Sequence, residues 1–397
     1  MLPLRRAHQQ WLFDPAALDQ TPSREDGIDR ERELRGRREA IMVVRSLAMR
    51  TAVVQAGAVA SSANATAAKL ADAAGRPPPP KVEPDVEVEV TKGKGTVTVA
   101  AVLVHRFFMR RSLKDFEPRL IAPTILFLAS KIEEGAIKLR YIINACLAKF
   151  EPGAKFYEPV EDVPETHNAG PEYRRWEKEV LAMEEVVLEA LCFDMVVEQP
   201  WPVLRRSIRG LDKFWADELA SGDAMDVDSS EPAPKSEATE AVVTELGWVL
   251  LNEGFLSPLG VLYRPETLAM ATFALVIALV DEVPLSEAIA TAAELGARFG
   301  LDVVFDAEAG ATGENLAGVK DAVRQYIQYC NDGLIDKNLV QYVLPEPDTP
   351  RTYQRRFKDP LPEPPAANAT NGSTTANGWR AKVNGLVHSA APIAPIL

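Results

Sequence analysis

Residues Pro123–Lys149 read PTILFLASKIEEGAIKLRYIINACLAK. Up to Ser130 the run reads as an uninterrupted apolar helix. It then stops abruptly at Lys131, Ile132, Glu133 and Glu134. Gly135 interrupts the pattern, and a second, amphipathic helix follows from Ala136 to Phe150. A lysine that closes so apolar a helix has two readings. It snorkels to water along its own methylene stem, or it awaits a carboxylate from another chain.

Helical periodicity extends outward from this stretch, and strand alternation is almost absent. Ahead of it, Glu31–Val59 carries Ile41, Val44, Leu47 and Ala48 on one face, and Thr96–Ser112 resumes the pattern. With Pro118–Glu133, Ala136–Phe150 and Pro171–Leu191, five helices precede the punctuation Gln199-Pro200-Trp201-Pro202. A second group follows: Trp201–Leu219, Val242–Asn252, Glu266–Asp281, Leu285–Phe299 and Asn315–Cys330. The fold class expected is all-α, two helical bundles in tandem. Residues 1–36 form a lead-in, 37–199 the first bundle, 200–343 the second, and 344–397 a Pro-, Ala- and Asn-rich disordered tail. Within the first bundle, 61–95 reads as a disordered insertion, with Pro77–Pro80 in a row and an extended VEVEV run. Residues 220–240 read as an acidic loop.

Composition narrows the function classes. The 397-residue chain is 47% hydrophobic, enough for two cores, and carries a net charge of −13. An acidic balance counts against duplex DNA and anionic membranes, either of which needs a basic face, so no direct nucleic acid and no membrane partner is expected. Cys146, Cys192 and Cys330 are far apart and lack CxxC spacing, which fits a reducing compartment. The opening MLPLRRAHQQW has no apolar signal core, and the longest apolar run, Leu268–Val280, is too short to span a bilayer.

No catalytic constellation emerges. His8, His105, His167 and His388 are dispersed, and His105, on a helix, reads as packed or surface-lying. HExxH, GxSxG, HRD and DFG are absent, and TKGKGT at Thr91–Thr96 has neither the Walker spacing nor a preceding strand. The reading is of a non-enzyme with no cofactor, no metal and no catalytic residue.

A later helix supplies what the first stretch lacks. In YRRWEKEVLAMEEVVLEALCF, Tyr173–Phe193, a core face is formed by Val180, Met183, Val187, Ala190 and Leu191, while Glu185 and Glu189 point to solvent. Glu184 lies at the margin, one turn before Leu188, where a carboxylate is partly desolvated. Lys131 sits equally at a margin, three residues after Leu128. Taken singly, each is an ordinary surface charge at the edge of a core.

LFLASKIEE, followed by a helix and then by WEKEVLAMEEVVLEALCFDMVVEQPW, resembles the first cyclin box. HRFFMRRSLKDF at His105–Phe116 resembles its second helix and the loop after it. WLFDPAALDQTPS at Trp11–Ser23, leading to RRE at Arg37–Glu39, is similar to the lead-in of transcriptional cyclins of the cyclin K, T and L kind. LGWVLLNEGFLSPLGVLYRPETLAMATFALV, with Trp248, resembles the opening of a second box.

The resemblance implies two tandem five-helix cyclin boxes and a regulatory subunit that binds and activates a cyclin-dependent kinase. It also implies that Lys131 and Glu184 pair and contact the kinase's activation helix, with Leu128, Ile132, Leu188, Phe193 and Met195 as apolar contacts. The lead-in implies a nuclear protein, with the cytoplasm as a second compartment, whose kinase acts on the RNA polymerase II C-terminal repeats. The alternative is a non-kinase cyclin-fold module of the general-transcription-factor kind. The first helix, REAIMVVRSLAMR, lacks the substrate-docking motif of cell-cycle cyclins, and Gly135 departs from the family pattern after Glu134.

Overall fold

The apolar run at Pro123 becomes the central helix of the first of two units. A computed structural model describes residues 10–74, 76–77, 79–157, 169–221, 236–302, 304–306, 310–312, 314–341 and 343. The first unit comprises Met1–Glu198 with Phe255–Leu262, and the second Gln199–Gly254 with Tyr263–Leu397.

In the first unit, α1 spans Arg30–Ala73, α2 Val86–Phe108, α3 Pro118–Ile132, α4 Leu139–Phe150 and α5 Pro171–Ala190. Because α3 is apolar on all sides, it can be covered on all sides, and it packs against the other four. Ile121, Ala122, Ile125, Leu126 and Ala129 are fully buried there, joined by Ile41, Val44 and Leu47 of α1 and Phe107 and Phe108 of α2. By length and composition α1 would also cross a membrane, although close to half of its most apolar window is buried within the protein.

The insertion expected at 61–95 is largely helical. Residues 61–73 continue α1, and 86–95 open α2, leaving only 74–85 between them. Two local causes override the low-complexity reading. The segment after Val59 is rich in alanine, the strongest helix former. At the other side Asp85 caps α2, its Oδ1 accepting from the Val88 amide at 3.0 Å, with Glu87 and Glu89 in the first turn. Asn64 clasps the intervening strand of chain: its Nδ2 donates to the Val82 carbonyl and its Oδ1 accepts from the Val82 amide.

Around α3 the lead-in contributes a 3₁₀ turn, Pro15–Asp19, and a one-turn helix, Pro22–Glu25, capped by Thr21. The fourth helix starts three residues later than expected, because the Ser130 hydroxyl accepts from the Ile137 amide at 3.1 Å and folds 133–137 back onto α3.

The second unit repeats the plan of one all-apolar helix surrounded by others. Here α9, Pro265–Val280, is buried along nearly its whole length and meets α6 (Pro200–Ser207), α8 (Glu240–Gly254), α10 (Leu285–Glu294) and α11 (Glu314–Asn331). Trp201 and Trp248 meet edge to face, ring centroids 5.1 Å apart. Two expected helices are interrupted. Trp201–Leu219 divides into α6 and α7 (Leu211–Ser221) at Gly210, whose φ of 70° no helix accommodates. Leu285–Phe299 breaks at Leu295, after which Gly296–Phe299 forms one further turn. A two-stranded antiparallel hairpin, β1 (Val304–Asp306) and β2 (Gly310–Thr312), is the one sheet among the described residues.

Within the acidic loop, 222–235 lie outside the described residues, 220–221 close α7, and Glu240 opens α8. The tail 344–397, His8, His167 and His388 also lie outside them.

His105 belongs to the core of the first unit, its Nε2 donating to the Phe255 carbonyl at 3.2 Å. Burial, helped by the Arg37 charge, pushes its pKa down to about 3. Between the ordinary value of 6.5 and that depressed value, the unfolded chain binds a proton that the folded chain refuses. Stability is therefore full above pH 6.5 and falls with acidification, at about 1.4 kcal/mol per pH unit. Urea unfolding at successive pH values should show this slope in the parent chain, and His105→Gln should flatten it between about pH 5 and 6.5.

Candidate docking face

The geometry begins at the C-terminal end of α3. Thr124 Oγ1 lies 3.4 Å from the Val180 carbonyl of α5, which sets the register of the two helices. Two turns after Thr124, Lys131 Nζ meets Glu184 Oε1 at 2.6 Å. The pair is unequal, with the lysine side chain 45% exposed and the carboxylate 20%. The ammonium also lies 3.9 Å from the centroid of the Phe127 ring, four residues earlier on the same helix. Lys131 therefore reaches the surface, and the carboxylate it meets there belongs to its own chain.

The loop after α3 is fixed rather than loose. Ser130 Oγ donates to the Phe127 carbonyl at 2.7 Å while accepting from Ile137. The left-handed conformation falls on Glu134, φ 55°, and not on Gly135. A Cβ at Gly135 would meet only the Glu133 carbonyl oxygen, at 3.8 Å, so an alanine fits there.

On α5, Tyr173, Trp176, Val180, Val187 and Ala190 are buried, and Met183 and Leu188 pack half-buried against the core. Glu185 and Glu189 face solvent, with Glu184 at the margin between. Ile132 and Met195 are half-buried against the same core. Leu128 is buried and offers no surface, so it supports the face from beneath. Phe193 is the reverse, 71% exposed on a backbone with φ 57°. Leu181 and Val196 add exposed apolar area that sequence reasoning missed. Phe127 was missed as well, although its place one turn before Lys131 is legible in LFLASK.

A buried network lies beside this face. Arg106 donates to the Val196 carbonyl at 2.8 Å. Burial pushes its guanidinium down to about 10, opposed by Asp194 and Glu198, so it stays charged at neutral pH. Among the described residues, no group of three or more His, Cys, Asp or Glu could hold a metal ion.

What this arrangement can do is bind. It offers one cation and one anion in fixed register, bordered by exposed apolar side chains, the composition of a protein interface.

Residues 86–196 match the family model of the cyclin N-terminal domain. Cyclin pch1 of Schizosaccharomyces pombe is 34% identical over 174 residues, covering 44% of this chain and 41% of that protein. Cyclin-T2 of Mus musculus is 27% identical over 196 residues, covering 49% and 20%. The chain thus spans less than half the length of these curated relatives. A chain of the yeast TFIIK (Kin28/Ccl1/Tfb3) complex is similar over 80% of this chain and 96% of its own, at 15% identity and a TM-score of 0.40, too loose a likeness to bear on the fold. Residues 86–196, from α2 to the turn after α5, thus match a cyclin N-terminal domain, and over somewhat less than half of its length the chain is similar to cyclins of the pch1 and T kind.

Proposed function

We propose that the chain is the regulatory subunit of a cyclin-dependent serine/threonine kinase, docking on that kinase through the ends of α3 and α5. The observation that carries this reading is the Lys131–Glu184 pair, placed at a surface margin and bordered by the exposed ring of Phe193. The cyclin supplies no reacting group. It selects the kinase conformation in which the activation helix is rotated inward and its glutamate pairs with the nucleotide-binding lysine. A selector of this type needs a rigid face with a few charges for register, since only differential affinity for the two kinase states shifts their populations.

The lead-in from Trp11 to Glu39, and relatives named pch1 and T2, extend the reading to a kinase acting on the RNA polymerase II C-terminal repeats, in the nucleus. The net charge of −13 weighs against the alternative of a DNA-holding scaffold.

Affinity purification of the full chain from nuclear extract, followed by a phosphorylation assay on a heptad-repeat peptide, tests both levels. The expected result is a co-purifying kinase active on that peptide. DNA retention without kinase would favour the scaffold, and a kinase inactive on the peptide would remove the polymerase assignment alone.

A further inference from the structure

Cys192 and Phe193 are consecutive non-glycine residues with φ of 52° and 57°. L-residues rarely adopt this conformation, and it persists only where the surroundings over-determine it. From below, the end of α5 does part of this. The Leu191, Cys192 and Phe193 amides donate to the Val187, Glu189 and Leu188 carbonyls at 3.0, 2.9 and 2.9 Å. From the other side, the constraint comes from the N-terminal lead-in.

Trp11 is 1% exposed. Its Nε1–H donates to Asp194 Oδ2 at 3.0 Å, and the Gln10 side-chain Nε2 donates to the same oxygen. Asp194 Oδ1 lies 3.3 Å from the Val196 amide, while Arg106 holds the Val196 carbonyl. The guanidinium carbons of Arg106 and Arg110 lie 5.2 and 5.1 Å from the centroid of the Trp11 ring. The lead-in is itself anchored, the Phe13 amide donating to the Val261 carbonyl at 2.8 Å. The turn 192–196 is therefore gripped between α5 and the lead-in, and out of that grip project Phe193, 71% exposed, and Val196, 41% exposed.

We propose that the lead-in is a positioning element of the docking face, with Trp11 holding the 192–196 turn through Asp194 and Arg106 so that Phe193 is presented ready-made. Preorganisation of this kind lowers the ordering cost of binding. Trp11 does not itself touch the partner. The docking half of the proposal rests on the kinase reading above; the ordering half does not.

The test uses the full chain and a thiol already present. Cys192 is exposed while Cys146 and Cys330 are buried, so a nitroxide attaches selectively within the turn. Its spectrum is recorded on the free chain for the parent, Trp11→Phe and Trp11→Ala. Thermal melts and affinity for the kinase recovered with the parent are measured on unlabelled protein. Trp11→Phe keeps a ring under the guanidinium groups and loses only the N–H to Asp194. It should melt close to the parent yet show a more mobile label and about 5-fold weaker kinase binding. Trp11→Ala should melt lower, free the label further and weaken binding more than 10-fold. A purely structural role for Trp11 predicts instead that label and affinity follow the melt, with Trp11→Phe recovering all three. That result overturns the proposal, as does an unchanged label spectrum in both variants or an unchanged affinity with a mobile label. If the parent captures no kinase, the functional reading fails alone, and the label still decides whether Trp11 orders the turn.

Discussion

Glu184→Ala and Lys131→Ala should each abolish kinase capture while leaving the melting temperature of the free chain within about 2 °C of the parent. The asymmetry follows from where the pair sits. In the free chain the lysine is 45% exposed, water screens both charges, and a pair of this kind contributes between about 0 and 1 kcal/mol. The helices that carry it are held by other means, the buried face of α3 and the Thr124 contact to Val180. Once a kinase covers the face, the solvent that made the pair weak is gone. Truncating one partner then leaves the other buried and uncompensated, a loss of about 2–5 kcal/mol, or roughly 30- to 5,000-fold in Kd.

The exchange Lys131→Glu with Glu184→Lys separates two versions of the idea. It restores an ion pair in the free chain but reverses the charges shown to the kinase. If each charge also reaches kinase groups, the exchange fails to recover binding. Capture of the kinase by co-purification and its activation on peptide are the readouts. Activation by the double alanine variant equal to that of the parent would refute the assignment.

How far this face was legible depends on the range over which its residues interact. The apolar character of α3 and the two faces of α5 could be read from periodicity, since both express the pattern within a few turns of one helix. The pairing of Lys131 with Glu184 spans 53 residues, and no local pattern encodes it; resemblance alone brought the two together. Trp11 and Asp194 are 183 residues apart, and nothing in either neighbourhood marks the contact. The helical arms at 61–73 and 86–95 differ from expectation for a local reason. The four prolines at Pro77–Pro80 and the charged, alanine-rich flanks break the periodicity, whereas alanine content and the Asp85 cap favour helix locally. The break at Gly210 was hidden because RRSIRG carries no proline. Arg37 shows the limit most clearly. Within ELRGRRE nothing distinguishes it from the arginines on either side, yet it is fully buried.

That buried arginine leads to the second large effect. Glu33→Ala should destabilise the first unit by about 3–5 kcal/mol. The Arg37 guanidinium is paired with Glu33 one turn earlier on α1, with side-chain exposures of 0% and 3%. Glu33 Oε2 accepts from the Thr21 hydroxyl of the lead-in at 2.7 Å, and Arg37 donates to the Phe108 carbonyl at the end of α2 at 2.8 Å. The pair thus joins three segments, and α2 ends only two residues after Arg106, which grips the docking turn. Removing the carboxylate leaves a guanidinium that water cannot reach. At about 2–4 °C per kcal/mol for a unit of this size, the melting temperature should fall by roughly 6–20 °C. Glu33→Gln keeps an acceptor for Thr21 without the charge and should fall between. Replacing both partners with apolar residues, Glu33→Leu with Arg37→Met, should recover most of the loss, because a buried ion pair roughly offsets its own desolvation. Calorimetric melts at neutral pH decide the matter. A Glu33→Ala chain melting within about 2 °C of the parent would mean that water reaches Arg37 after all. The nitroxide at Cys192, applied to the apolar double variant, then asks a separate question. If the melt recovers while the label stays mobile, the charges at Glu33 and Arg37 serve to hold the end of α2, and through it the docking face, in register.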